Sequence, residues 1–235
     1  MENINNTNSN AESAESRLAK GDALYEQGDY ESAISAYDKA LGLNPNLAVG
    51  YFKRGNAKNM IGQYPEAISD YDVAIRLDPN YADAYNNRGI AKKKMRQYFE
   101  AISDYDVAIR LDPNDADAYN NRGNAKDEIG QYFEALSDYE AAIRLNPNHA
   151  DVYNNRGITK AYLGYPEVAI SDFDTAIHLN PNNAKAYANR GTAKKILDRA
   201  NDAKRDFQMA LDLAEKAGDE ESKSEIMEIM KKLED

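Results

Sequence analysis

An all-α solenoid of six antiparallel helix pairs is the fold this 235-residue sequence predicts, and three observations predict it. Glycine recurs every 34 residues, at Gly21, Gly55, Gly89, Gly123, Gly157 and Gly191. Within each copy the apolar residues keep helical spacing, as in Ala135, Leu136, Tyr139, Ala142 and Ile143, which share one face of a helix. Most copies are also broken twice: four have a glycine near the middle and five an Asn-Pro-Asn or Asp-Pro-Asn turn near the end.

With glycine taken as repeat position 8, the copies run 14–47, 48–81, 82–115, 116–149, 150–183 and 184–217. The first helix of a copy is expected to stop near position 15, where Gly28, Gly62, Gly130 and Gly164 tolerate the left-handed conformation that ends a helix. The second is expected to end before Pro45, Pro79, Pro113, Pro147 and Pro181 at position 32, because proline cannot continue a helix. Alanine fills positions 20 and 27 in all six copies, and position 24 is always a ring: Tyr37, Tyr71, Tyr105, Tyr139, Phe173 and Phe207. Small residues let helix backbones approach at a crossing, and the ring fills the space beside them. In the turns, Asn80, Asn114 and Asn148 are expected to cap the helices that follow.

The segments outside the repeats read differently. Residues 1–12 are rich in Asn and Ser with almost nothing to bury, and are expected to form a solvated, disordered tail. Residues 218–235 carry Ile226, Ile229, Met230 and Leu233 on an otherwise charged segment. That spacing predicts an amphipathic helix capping the exposed end of the array.

This pattern resembles the tetratricopeptide repeat family, with its aromatic at position 4 (Tyr51, Tyr85, Tyr119, Tyr153, Tyr187), glycine at 8, alanine at 20, aromatic at 24 and proline at 32. The resemblance implies a right-handed superhelical solenoid whose first helices line a concave groove, with positions 2, 5, 6, 9, 12 and 13 facing it. Two departures from the family pattern are systematic: arginine stands at position 7 and lysine at position 11 in copies two to six.

Comparing the copies with one another adds a further expectation. Arginine at 7 always accompanies aspartate at 23, as Arg54/Asp70, Arg88/Asp104, Arg122/Asp138, Arg156/Asp172 and Arg190/Asp206, whereas copy one has Lys20 with Ala36. We expect structural ion pairs, either between the two helices of a copy or across neighbouring copies.

Composition narrows the function classes. A net charge of −11 disfavours binding held by neutralised phosphates, so nucleic acid is not an expected partner. Without cysteine there is no disulfide framework, thiolate metal site or cysteine nucleophile. Two histidines, His149 and His178, assemble no triad or zinc constellation and are expected to be exposed. No segment has the run of apolar residues that a membrane span needs. The expectation is a cytoplasmic protein without catalytic residues, metal or cofactor.

What remains is a surface. Under the family frame, Asn87, Asn121, Asn155 and Asn189 at position 6, with Asn86, Asn120 and Asn154 at position 5, place rows of carboxamides in the groove. An amide offers a donor and an acceptor, which suits the backbone of an extended peptide. Asn124, Lys93 and Lys185 join them as candidate peptide contacts. The same rows are also what duplication of one ancestral unit would leave behind. The leading expectation is a non-catalytic scaffold or adaptor binding a peptide segment of another protein. The alternative is a structural protein assembling end to end into homo-oligomers. A chaperone-tail carboxylate clamp is weaker, because Asn120 and Asn189 stand where that clamp needs cations.

Overall fold

The computed structural model describes residues 13–231. The expected tail at 1–12, and Leu233 at the other end, lie outside the described residues. Two compact units divide the chain, Met1–Pro113 and Asn114–Asp235. The first holds α1 (Ala14–Glu26), α2 (Tyr30–Leu43), α3 (Ala48–Met60), α4 (Tyr64–Leu77), α5 (Ala82–Lys94) and α6 (Tyr98–Leu111). The second holds α7 (Ala116–Glu128), α8 (Tyr132–Leu145), α9 (Ala150–Tyr162), α10 (Pro166–Leu179), α11 (Ala184–Ile196), α12 (Ala200–Ala217) and α13 (Glu220–Lys231). All regular structure among the described residues is helical.

The turn chemistry ends the helices in two ways. Gly28, Gly62, Gly130 and Gly164 close α1, α3, α7 and α9 with φ between 76° and 86°. At the same repeat position Arg96 (φ 60°) and Asp198 (φ 55°) adopt this conformation with a side chain attached, a local strain of roughly 1–2 kcal/mol each. In the proline turns the caps fall one residue later than expected. Asn146 Oδ1 accepts from the Asn148 N–H at 3.2 Å, and Asp78 does the same for Asn80, so the turn asparagine closes an Asx turn from its backbone. The residues flanking the next helices are Tyr81, Asp115 and His149, and Asp115 Oδ1 accepts from the N–H groups of Asp117 and Ala118. Asn80, Asn114 and Asn148 therefore are not the caps.

Each pair closes on the small residues. The alanines at positions 20 and 27 are buried to within 1% in all six copies, as are the rings at position 24. A Cβ built on Gly123 would stand 2.7 Å from a ring carbon of Tyr139, and one on Gly157 2.6 Å from Phe173. Glycine at position 8 is thus required by the ring that lies across its helix. Within each unit successive pairs stack second helix onto first, and the first helices also meet each other: α1 touches α3 and α3 touches α5 in one unit, α7 touches α9 and α9 touches α11 in the other. Among the described residues no such contact joins α2 to α4 or α8 to α10. The first-helix layer is therefore the tighter, inner side of each unit. At the end of the second unit Ile226 of α13 is buried against Phe207, Ala210 and Ala214, with Ile229 and Met230 beside it.

Candidate functional site

Behind the first-helix face runs a ladder of buried charge. Arg54 Nε donates to Asp70 Oδ2 at 2.9 Å and its Nη2 to Oδ1 at 2.5 Å. The fork recurs from Arg88 to Asp104, Arg122 to Asp138, Arg156 to Asp172 and Arg190 to Asp206, at 2.9–3.0 Å and 2.5–2.7 Å. Both members of every fork lie in one copy, so pairing of these aspartates across neighbouring copies, the other arrangement open to the sequence, is not the one formed.

The structure adds a member to each of the expected pairs. Asp70, Asp104, Asp138, Asp172 and Asp206 are the buried centres of three-membered clusters, each only 4–5% exposed. The third member is the lysine at position 11, for which its place in the sequence suggested no role. Lys58, Lys92, Lys126, Lys160 and Lys194 reach Asp70, Asp104, Asp138, Asp172 and Asp206 in turn at 2.7–2.8 Å. The physical reason is desolvation: a carboxylate taken this far out of water is held by several charge-assisted bonds at once. The signal was present in the sequence, since copy one, which lacks the arginine and aspartate, has Leu24 at position 11.

The arginines also tie copies together. Arg54 Nη1 reaches Asp38 at 2.5 Å, Arg88 reaches Asp72 at 2.5 Å and Arg190 reaches Asp174 at 2.6 Å, each aspartate belonging to the preceding copy. Each guanidinium lies 5.3–5.6 Å from the centre of its position-4 tyrosine ring, a cation–π contact. In these three copies the second positive charge beside the buried aspartate is thereby matched by a ring face and a rim carboxylate. These residues are committed to holding the array.

The asparagines divide into two layers. Asn86, Asn120 and Asn154 are buried, with 8–9% exposure, so position 5 does not present its amides to the groove as expected. The close approach of first helices covers them. Across copies, Asn155 Nδ2 donates to Asn120 Oδ1 at 3.1 Å, and Asn189 Nδ2 to Asn154 Oδ1 at 2.9 Å. Asn87 Nδ2 donates to Asn56 Oδ1 at 2.9 Å. The position-6 residues Asn87, Asn121, Asn155 and Asn189 remain half-buried on the inner face. A carboxamide has two N–H groups and a carbonyl oxygen, so each of these donations spends only part of its capacity. Asn124 Oδ1 lies 2.8 Å from the Tyr139 hydroxyl oxygen. Lys93 is half-buried and Lys185 exposed. His149, expected to be exposed, is half-buried with Nε2 2.9 Å from Asp117 Oδ1; His178 is exposed.

One node breaks the repeat. Thr159 stands where the five other copies have alanine, and its hydroxyl donates to Asp127 Oδ2 at 2.7 Å, which also accepts from Tyr139 at 2.6 Å. Asp127 Oδ1 is buried with no partner. Burial pushes the Asp127 carboxyl above its ordinary value, opposed by the two hydrogen bonds and helped by Glu128. A carboxyl whose pKa is raised on folding costs stability where it is ionised, above its folded pKa, and that cost vanishes below the unfolded value of 3.8. Asp127→Asn should therefore melt higher than the wild type at pH 7, with the gap shrinking as pH falls towards 4 and below. Parallel melting curves across pH check this, and a constant gap would contradict it.

Among the described residues a cleft opens on the inner face of each unit. That between α9 and α11 has a volume of about 440 Å3 and is walled by Ile158, Tyr162, Ile196 and Ile229, with Asn189 and Thr192 as its polar groups. Tyr162 is 75% and Ile196 59% exposed, and Tyr162 stacks on Tyr132 with centroids 6.0 Å apart. The other lies between α1 and α3 and is smaller, about 290 Å3. Among the described residues no group of His, Asp and Glu is placed to hold a metal, and no helix is long and apolar enough to cross a membrane.

Stacked helix pairs with a side-chain-lined inner face define a helical-repeat scaffold, a class whose fold supports protein–protein interaction. The chain belongs to the tetratricopeptide-repeat family, whose signatures match residues 21–60, 58–95 and 97–126 (TPR repeat) and 116–149 and 150–183 (tetratricopeptide repeat). Proteins of this family are generally non-catalytic scaffolds. No curated protein sequence matches the chain. Among solved structures it is similar to YrrB, a TPR protein with an unusual peptide-binding site, at 30% identity and a TM-score of 0.61, covering 75% of this chain and 91% of YrrB. MamA is 30% identical with a TM-score of 0.63 over 70% of this chain and 96% of MamA. PilF of Pseudomonas aeruginosa, 19% identical, shares the fold with a TM-score of 0.76 over 91% of this chain and 96% of its own.

Proposed function

We propose that the protein is a non-catalytic adaptor that holds an extended peptide segment of a partner protein on the inner, first-helix face. The observation that carries this reading is the α9–α11 cleft, where Tyr162 and Ile196 stand exposed at the mouth of an apolar hollow. Folded proteins seldom leave such a surface open unless something docks there. Asn155 and Asn189 on the same face add amides with hydrogen-bonding capacity left over from the inter-repeat ladder. Similarity to YrrB, whose peptide-binding site is its stated feature, supports a peptide as the class of ligand. The net charge of −11 supports a protein partner over nucleic acid.

Alanine replacement of the asparagine rows is a poor test, because those amides also join copies. Ile196→Glu is better: the side chain is 59% exposed, and the charge spoils an apolar cleft without disturbing the array. Random dodecapeptides displayed on phage are selected on the purified chain, and the enriched peptides are titrated against both proteins after circular dichroism shows equal helicity. We expect an affinity loss of about tenfold or more for Ile196→Glu, the scale of an interface anchor. No enrichment, or equal affinity for the variant, would sink the reading.

A further inference from the structure

The α1–α3 cleft is chemically unlike its α9–α11 counterpart. Where the latter is lined by aliphatic side chains, two rings and no charged group, this one presents three rings, Tyr25, Tyr37 and Phe52, and two carboxylates, Asp22 and Glu26, against one cation, Lys53. The internal pairing is already made. Lys53 Nζ lies 2.5 Å from Asp22 Oδ2, and the Tyr37 hydroxyl donates to Asp22 Oδ1 at 3.0 Å. Glu26 has no cation against it among the described residues, and it is exposed at the end of α1. The cleft therefore keeps one uncompensated negative charge beside ring faces.

Those rings are braced rather than loose. Phe52 packs on Tyr81 with centroids 4.7 Å apart and on Tyr71 at 6.1 Å, while Tyr25 meets Tyr30 edge-on at 5.2 Å. Burial, followed by the bond to Asp22, holds the Tyr37 hydroxyl well above its ordinary pKa, so it stays a neutral donor. A ring face attracts a cation through its quadrupole, and a carboxylate at the rim adds charge complementarity. An anion or an uncharged polar group gains neither.

We propose that this cleft is a binding site for a lysine or arginine side chain of the partner segment, its cationic head between the Tyr25 and Phe52 rings and the Glu26 carboxylate. The proposal rests on the peptide reading above and adds the chemistry of one anchor. It places on α1 and α3 a specificity for basic residues that the apolar α9–α11 cleft does not share.

The probe is the peptide acetyl-Gly-Gly-Ser-Arg-Ser-Gly-Gly-amide, with versions carrying citrulline or glutamate in place of arginine, titrated into the full chain by NMR. Citrulline keeps the shape of arginine and removes its charge. The arginine peptide should shift the Tyr25 and Phe52 signals, bind about tenfold more tightly than the citrulline peptide, and weaken as salt is raised. Glu26→Gln, at an exposed position, should cost a similar factor with unchanged circular dichroism, and Phe52→Leu should weaken binding further while keeping an apolar side chain there. Equal binding of citrulline, shifts confined to other residues, or no binding by the arginine peptide would overturn the proposal. Display-selected peptides that lose affinity with Ile196→Glu but show no basic preference and bind Glu26→Gln normally would sink this site alone. An empty selection sinks the adaptor reading with it.

Discussion

Asp172→Ala should destabilise the second unit by about 3–5 kcal/mol, the scale of removing one partner from a buried charge cluster. The carboxylate is buried at 5% exposure. It accepts two bonds from Arg156, at 3.0 and 2.7 Å, and a third contact from Lys160 at 2.8 Å. Removing it leaves two cations facing each other, each itself largely covered. Asp174, whose side chain is 55% exposed beside Arg190, is the control, and Asp174→Ala should cost less than about 1 kcal/mol. Urea unfolding followed by circular dichroism checks the pair, with native-state hydrogen exchange to see whether α9 and α10 open first, as nearest-neighbour energetics in a repeat array would have it. Similar small losses for both variants would reduce the buried ladder to surface decoration.

Phe173→Ala should cost about as much, roughly 3–5 kcal/mol, for a different reason: it empties the space over Gly157. The ring is 1% exposed and packs with Ala169 and Ala193 between α10 and α11. The complementary change, Gly157→Ala, pushes a methyl to 2.6 Å from the same ring and should cost about 1–3 kcal/mol by overpacking. In the double variant the clash is gone, so the two losses should not add, and the coupling measures the ring-on-glycine contact directly. Additive losses would mean that the glycine is kept for some reason other than the ring.

The fold was legible because its determinants are local and repeated six times. Helical spacing, left-handed glycines and proline turns each act within a few residues, and every copy votes again. The Arg–Asp pairs were legible too, through their joint absence from copy one. What the pairing rule left out was the lysine beside Asp104, Asp138 and Asp206 and the depth at which those carboxylates lie. The caps were misplaced by a single residue, since an asparagine two residues before the helix and one at its boundary look alike in sequence; only the Asx turn at Asn146 and Asp78 separates them.

The candidate site was less legible, and the asparagines explain why. Position 5 and position 6 are adjacent amides in the chain, yet Asn154 is buried and accepts from Asn189 while Asn155 lies half-buried and donates to Asn120. Those bonds join residues 35 apart in sequence, so they exist only once two first helices lie side by side. The clefts share that origin: Ile158 and Ile196, or Tyr25 and Phe52, become walls of one hollow through the spacing of neighbouring helices. By itself the sequence determined the helices, the turns between them and the small-residue crossings, since these follow from backbone preference and residue volume. Tertiary structure alone decided which identical side chains are covered and which face outward, because burial is a property of the space between repeats and no residue type carries it.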